Sequence, residues 1–131
     1  MEKIYLLLTT LPRWALVMFA VCLYALLLYL GGIAPVVDAL PGRELHSKVY
    51  HVVFYFSLSG ILWFCCRRPT VAKVTALVAC AGFLDEAHQH FLTFRHARLS
   101  DIVIDTCAGL AAALILHSLQ KRVTKNALNC A

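Results

Sequence analysis

The feature that most constrains the fold is a stretch of 24 residues, from Trp14 to Val37, that contains no charged side chain. A membrane span needs about 20 mostly apolar residues, because the bilayer core is about 30 Å thick and an α-helix rises about 1.5 Å per residue. The first predicted span therefore covers about residues 14–30 and stops at Gly31-Gly32. Its uncharged length and the lack of a small-residue cleavage pattern favour a retained helix over a cleaved signal peptide.

Three further apolar segments of similar length follow, at about residues 47–66, 70–91 and 99–119. Arg67-Arg68-Pro69 separates the first two of them, since the charges favour water and proline cannot continue a helix. Of the 131 residues 61% are hydrophobic and 15% are charged, which is too little charge to cover a soluble domain. The sequence therefore predicts one domain over residues 1–131, an all-α polytopic membrane protein with a bundle of four transmembrane helices.

The lysines and arginines predict the orientation of these helices. If the N-terminus is cytoplasmic, eight cations flank the spans on the inner side and four, Arg43, Lys48, Arg95 and Arg98, on the outer side. Cytoplasmic loops carry the excess of positive charge in membrane proteins, so both termini are predicted to be cytoplasmic. The cations flank apolar spans and form no continuous stripe, which argues against nucleic acid and leaves membrane lipids as the expected partners.

Three ionisable residues lie at one predicted depth. Counted from the inner ends of their helices at about 1.5 Å per residue, His51, Asp85 and Asp105 each lie roughly 21–22 Å from the inner boundary. In a core of about 30 Å this depth is within the outer leaflet, below the head groups. An ionisable group inside a span costs about 2.5–3.5 kcal/mol, so a functional role is the default and these are the candidate catalytic residues. The alternative is a structural network of polar contacts between helices.

Other polar residues share helix faces with these three. Lys48, His51 and Tyr55 follow a spacing of i, i+3 and i+7, which puts them on one side of the second span. Turned inward, such faces predict a polar pocket that opens towards the outer surface. The candidate ligand-binding residues are Lys48, Tyr55, Glu86, Gln89, Arg95, Arg98, Ser100 and Asp101.

The same residues form three motifs. K-x-x-H-x-x-x-Y at 48–55, D-E-x-x-Q-x-F with a later R at 85–95, and S-D-x-x-x-D-x-x-x-G at 100–109 together resemble the VanZ-like family of small bacterial membrane proteins. The resemblance covers about residues 43–119. This chain differs from the family pattern at Ser47, where Asp is frequent, and at Asp105, where Asn is common.

The resemblance implies a multi-pass protein of the bacterial cytoplasmic membrane. The family is named for a member linked to resistance to the glycopeptide antibiotic teicoplanin. The resemblance brings no established reaction, so it does not decide whether this chain is an enzyme.

Three functions fit these residues. In the first, the pocket recognises an anionic or sugar-bearing amphiphile at the outer leaflet, a lipid-linked envelope precursor or a glycopeptide, with Lys48, Arg95 and Arg98 holding phosphate. A histidine beside a carboxylate would supply a general base there, which permits hydrolysis or group transfer. The second function is a metal-dependent intramembrane hydrolase, with zinc ligands from Asp85, His88, His90 and Asp105, together with His51. The third is a proton- or ion-translocating oligomer. The sequence assigns no cofactor, metal or oligomeric state.

Overall fold

A computed structural model describes residues 2–32, 43–91 and 98–129, and the regular structure in these ranges is entirely helical. The predicted all-α class is therefore confirmed. The four apolar segments of the sequence coincide closely with the last four of five helices. These helices are α1 (Glu2–Thr10), α2 (Arg13–Gly32), α3 (Arg43–Cys65), α4 (Val71–His90) and α5 (Leu99–Asn129).

The helices differ from the predicted segments mainly at α1 and at the end of α5, and α3 also begins earlier than predicted, at Arg43. α1 is a separate helix, because Pro12 lacks the N–H group that a continuous helix would need. The carbonyl oxygen of Pro12 instead starts α2 and accepts the N–H groups of Ala15 at 3.0 Å and Leu16 at 3.3 Å. α5 continues beyond Leu119 to Asn129, since the added residues are mostly charged or polar but include no proline or glycine to end the helix.

Two helices of the described part are long and apolar enough to cross a membrane, judged by length and composition. They are α3, over Lys48–Cys65, and α5, over Leu99–Asn129, while α2 contributes a shorter apolar segment, Arg13–Tyr29. α4 has an apolar first half, but its 20 residues include one lysine and two acids, which lowers its hydropathy. By length and composition, α3 and α5 could each cross a membrane, and the four spans stay a prediction.

α5 forms the centre of the bundle, because both α3 and α4 pack along it, and α2 packs mainly on α3. The face of α5 that meets its neighbours carries four small buried residues, Ala108, Gly109, Ala112 and Ala113. Small residues let helix backbones approach closely, which is a frequent mode of packing between helices in membranes. These small residues of α5 therefore face the interior of the bundle.

Gly109 lies where three helices meet. From α3, the hydroxyl of Ser59 donates a hydrogen bond to the carbonyl oxygen of Gly109 at 2.8 Å. From α4, Val78 lies so close that a Cβ atom added at Gly109 would be 2.5 Å from Cγ1 of Val78. The missing side chain of Gly109 is therefore what permits the close approach of α4 to α5.

The distribution of polarity is unusual for a soluble bundle. Large apolar side chains point away from the bundle, and Trp14, Phe19 and Phe83 are 73%, 59% and 62% exposed. Six polar or charged side chains are buried in the described part of the chain, His51, Ser59, Asp85, Glu86, Gln89 and Asp105. An apolar exterior around a partly polar interior suits a lipid surrounding.

Replacing Gly109 by alanine tests the contact between α4 and α5. The added methyl group would overlap Val78, and overpacking costs about 1–3 kcal/mol, so we expect Gly109→Ala to lower the free energy of unfolding by roughly that amount. Gly60→Ala in α3 is the matched control, since a Cβ there meets nothing within 4 Å and alanine favours helix. Unfolding in detergent, followed by circular dichroism, measures both variants. Equal stability of the two would contradict the contact.

Candidate functional site

The centre of the candidate site is a contact between His51 of α3 and Asp105 of α5. Nδ1 of His51 lies 3.0 Å from Oδ1 of Asp105, and the two side chains are 9% and 0% exposed. With Asp105 ionised and the imidazole of His51 neutral, Nδ1–H donates to Oδ1 and Nε2 keeps a lone pair. This is the arrangement of a histidine oriented by an acid, which is the requirement for a general base.

A second acid, Asp85 of α4, contacts the same face of α3. The hydroxyl of Tyr55 donates to Oδ2 of Asp85 at a long 3.4 Å, and both side chains are buried. Tyr55 lies one turn after His51, and the two rings stack with their centroids 6.0 Å apart and their planes at 21°. His51 and Tyr55 therefore present one surface to two carboxylates that come from different helices.

The third acid, Glu86, joins the end of α4 to the start of α5. Its Oε2 atom accepts the backbone N–H of Arg98 at 2.6 Å, directly before the first residue of α5. Glu86 is buried, with 3% of its surface exposed. This carboxylate therefore holds the C-terminal end of α4 to the start of α5.

Two carboxylate oxygens in this cluster, Oε1 of Glu86 and Oδ2 of Asp105, have no hydrogen-bond partner among the described residues. Nδ1 of His88 is also buried without a hydrogen-bond partner among these residues. Oδ2 of Asp105 lies against Gly82, where an added Cβ would be 3.3 Å from it. A buried polar atom without a partner is costly, especially on a charged group. The cluster therefore presents acceptors that a donor group would stabilise.

The predicted site residues divide into a buried group and an exposed group. The structure brings together six of them in the interior: His51, Tyr55, Asp85, Glu86, Gln89 and Asp105. Lys48, Arg98 and Ser100 are exposed, and Asp101 is half-buried and accepts the hydroxyl of Ser100 at 3.1 Å. Arg95 lies outside the described residues. We refer to the buried group as the acid–histidine cluster and to Lys48, Arg98, Ser100 and Asp101 as the rim.

The cluster is packed more closely than the predicted pocket. Asp85, Glu86 and Asp105 are at most 3% exposed, so their carboxylates are shielded from the surroundings. At Gly82 and Gly109, α4 and α5 are in close contact beside Asp105. The two clearest grooves lie at the opposite end of the bundle, around residues 66–73 and 117–128.

Two contributors to the site were not among the predicted residues. Tyr24 of α2 donates its hydroxyl to the carbonyl oxygen of Ala81 at 2.8 Å, one turn before Asp85. Ser59 donates to Gly109, one turn after Asp105. A lone tyrosine or serine hydroxyl in an apolar span needs a partner, and that need is the signal that could have identified both.

The described residues contain no group of three or more His, Cys, Asp or Glu side chains placed to hold a metal ion. Among the proposed ligands, His88 is half-buried on α4, whereas His90 is exposed at its last residue. The two differ by two positions on a helix and therefore point in different directions.

The chain matches no protein-family model, no curated protein and no solved structure. The resemblance of its three motifs to the VanZ-like family therefore stays a prediction.

A double-mutant cycle tests the contact between His51 and Asp105. We expect a coupling energy of about 1–3 kcal/mol between His51→Ala and Asp105→Ala, because contacting residues in a buried network do not contribute additively. The cycle of Lys48→Ala with Asp105→Ala is the control, because Lys48 is exposed and has no contact with Asp105. Unfolding free energies in detergent supply both values. If the coupling energy between His51 and Asp105 were as small as that of the control pair, it would contradict their contact.

Proposed function

We propose that this chain is a VanZ-like, multi-pass protein of the bacterial cytoplasmic membrane that recognises the sugar-bearing head group of an amphiphile at the outer leaflet. Its acid–histidine cluster would contact the head group, and four helices, α2 to α5, would cross the bilayer with both termini in the cytoplasm. The single observation that carries the proposal is the pair of buried carboxylate oxygens without partners, on Glu86 and Asp105.

The membrane setting is supported by the surface of the bundle. Exposed apolar side chains occur on α2, α4 and α5, for example Phe19, Phe83 and Val103, and α3 and α5 have the length and hydropathy of spans. Buried acids inside such a bundle are expensive and mark functional positions by default. A lipid-borne ligand could reach them from the bilayer, with its tails along the exposed apolar faces.

The chemistry of the cluster favours hydroxyl groups over a bare anion. Asp85, Glu86 and Asp105 offer acceptors, and three neighbouring carboxylates would repel a phosphate. Sugar hydroxyls donate hydrogen bonds, and those to charged acceptors are the stronger kind. A phosphate that links the sugar to its lipid would instead suit the exposed cations of the rim, Lys48 and Arg98.

This preference bears on the biological role. A lipid-linked envelope precursor combines sugar, phosphate and apolar tail, and a glycopeptide antibiotic such as teicoplanin carries sugars and an acyl chain. Recognition of either one would contribute to envelope modification or antibiotic resistance.

Hydrolysis or group transfer is a second candidate, favoured by the geometry of the His51–Asp105 pair. With Nδ1 bound to Asp105, Nε2 of His51 is available to take a proton from water or from a ligand hydroxyl. The deprotonated oxygen would then form a bond to a phosphoryl or acyl centre of the head group while that centre's bond to its leaving oxygen breaks. Nε2 of His51 would return the proton to the leaving oxygen.

Reporter fusions test the orientation. Green fluorescent protein joined after the last residue should fluoresce, because it folds in the cytoplasm, and alkaline phosphatase inserted after Phe91 should be active outside. Exchange of the two reporters between these positions is the control and should abolish both signals. The opposite pattern would contradict cytoplasmic termini.

Native mass spectrometry of the protein, gently solubilised from bacterial membranes, tests the ligand. We expect wild type to keep an adduct with the mass of a sugar-bearing lipid, and Asp105→Asn and Glu86→Gln to lose it at least tenfold. A hydrogen bond to a charged group contributes about 1.5–3 kcal/mol, which is tenfold or more. Teicoplanin added to the solubilised protein serves as a second probe.

Glu2→Gln is the matched control for these variants, since it also removes one carboxylate but lies on α1, away from the acid–histidine cluster. Equal adducts in wild type and Asp105→Asn, or bare protein in both, would contradict the proposed recognition. His51→Gln separates the two candidates. An enzyme should keep the adduct and stop turning it over, whereas a pure binding protein shows no turnover in wild type.

A further inference from the structure

Two grooves open at the end of the bundle that lies opposite the acid–histidine cluster. One, of about 380 Å³, lies along the C-terminal part of α5 and is lined by Pro69, His117, Gln120, Lys121 and Lys125. The other, of about 440 Å³, lies in the turn between α3 and α4 and is lined by Arg67, Arg68 and Lys73. Both are shallow and open on one side, so they suit a ligand held at the surface of the bundle rather than one enclosed within it.

The grooves belong to a strongly basic end of the molecule. The stretches 66–74 and 117–129 contain six lysines and arginines and no acid. α1 also packs at this end, where Tyr5 contacts Phe64 with ring centroids 5.2 Å apart, but its Glu2 and Lys3 cancel each other in charge. The described residues therefore leave these cations without neutralising carboxylates at this end.

The positions of the cations match the head-group layer of a bilayer. α5 has 31 residues and is about 46 Å long, whereas the apolar core is about 30 Å thick, so its last turns extend past the core. Lys121 and Lys125 are four residues apart and thus share a face. Leu128, 73% exposed, lines the same groove and adds an apolar contact beside them.

Topology alone does not account for this arrangement. The excess of positive charge on cytoplasmic loops requires a number of cations, but it requires no groove. Behind the first groove, the ring of His117 contacts that of Trp63, whose centroid is 6.0 Å away. Trp63 is 1% exposed, and its indole Nε1 has no acceptor among the described residues. Oε1 of Gln120, which lines this groove, likewise has no donor among them.

We propose that this basic end binds the phosphate of an anionic phospholipid from the adjacent leaflet, with Lys121 and Lys125 in one groove and Arg67, Arg68 and Lys73 in the other. Basic pockets between transmembrane helices on the cytoplasmic side suit the head groups of anionic lipids. The acyl chains would lie on the exposed apolar faces of the bundle. This inference does not depend on the occupant of the acid–histidine cluster.

Lipid titration of the full chain in detergent, read by native mass spectrometry, tests the proposal. We expect wild type to retain phosphatidylglycerol at least tenfold more tightly than phosphatidylcholine. A cation near an anionic lipid contributes about fivefold in affinity, so Lys121→Gln with Lys125→Gln should weaken phosphatidylglycerol binding about thirtyfold. Lys121→Arg with Lys125→Arg should keep it, since the charge is retained.

The matched control is Lys3→Gln with Arg13→Gln, which removes two exposed cations that line neither groove. It should bind phosphatidylglycerol within about threefold of wild type. Circular dichroism verifies the fold of every variant. Equal retention of the two lipids by wild type would overturn the proposal, as would equal losses in the groove and control variants. Competition by millimolar inorganic phosphate, at matched ionic strength, would assign the grooves to a soluble phosphate and overturn the lipid assignment.

Discussion

Asp105 is buried where α4 and α5 approach closely. At each of two successive contacts, a glycine of one helix faces a side chain of the other. On α4, Gly82 faces the carboxylate of Asp105, and one turn earlier Val78 faces Gly109, which lies one turn after Asp105 on α5. The two contacts repeat in register along antiparallel helices. With α4 held at this distance, α3 can supply Nδ1 of His51 to the other oxygen of Asp105. Close backbone approach and acid burial are therefore a single constraint.

That constraint explains which features of the chain were predictable. The four apolar segments and the inward stripe of small residues are local patterns, and α2 to α5 follow them. The common depth of His51, Asp85 and Asp105 came from counting residues, and the structure brings them to one cluster. The burial of the three carboxylates was not predictable in this way. It depends on the distance between α4 and α5, and residue spacing along a single helix does not give that distance.

The same limit applies at the ends of helices and to isolated hydroxyls. The end of an apolar segment marks only a change in composition. α5 continues past it because no proline or glycine follows to end the helix. Tyr24 gives no motif, and its acceptor is a backbone carbonyl on α4 that only packing reveals. The buried acids lie near one end of the bundle, beside Lys48 and Arg98, whereas most of the other described cations lie at the opposite end. Such a distribution suits a membrane with its positive side in the cytoplasm.

The pattern of satisfied and unsatisfied atoms separates a structural network from a binding site. A network kept for packing alone would gain from having every buried polar atom paired, since a half-satisfied one is worse than an apolar core. Here the acids each have one oxygen engaged, by His51, Tyr55 or the backbone of Arg98, while Glu86 and Asp105 each keep another oxygen unengaged. The engaged atoms hold the carboxylates in place, and the unengaged ones face no protein donor. Buried carboxylate oxygens without partners destabilise the fold. Their presence therefore favours a role in binding a group from outside the chain.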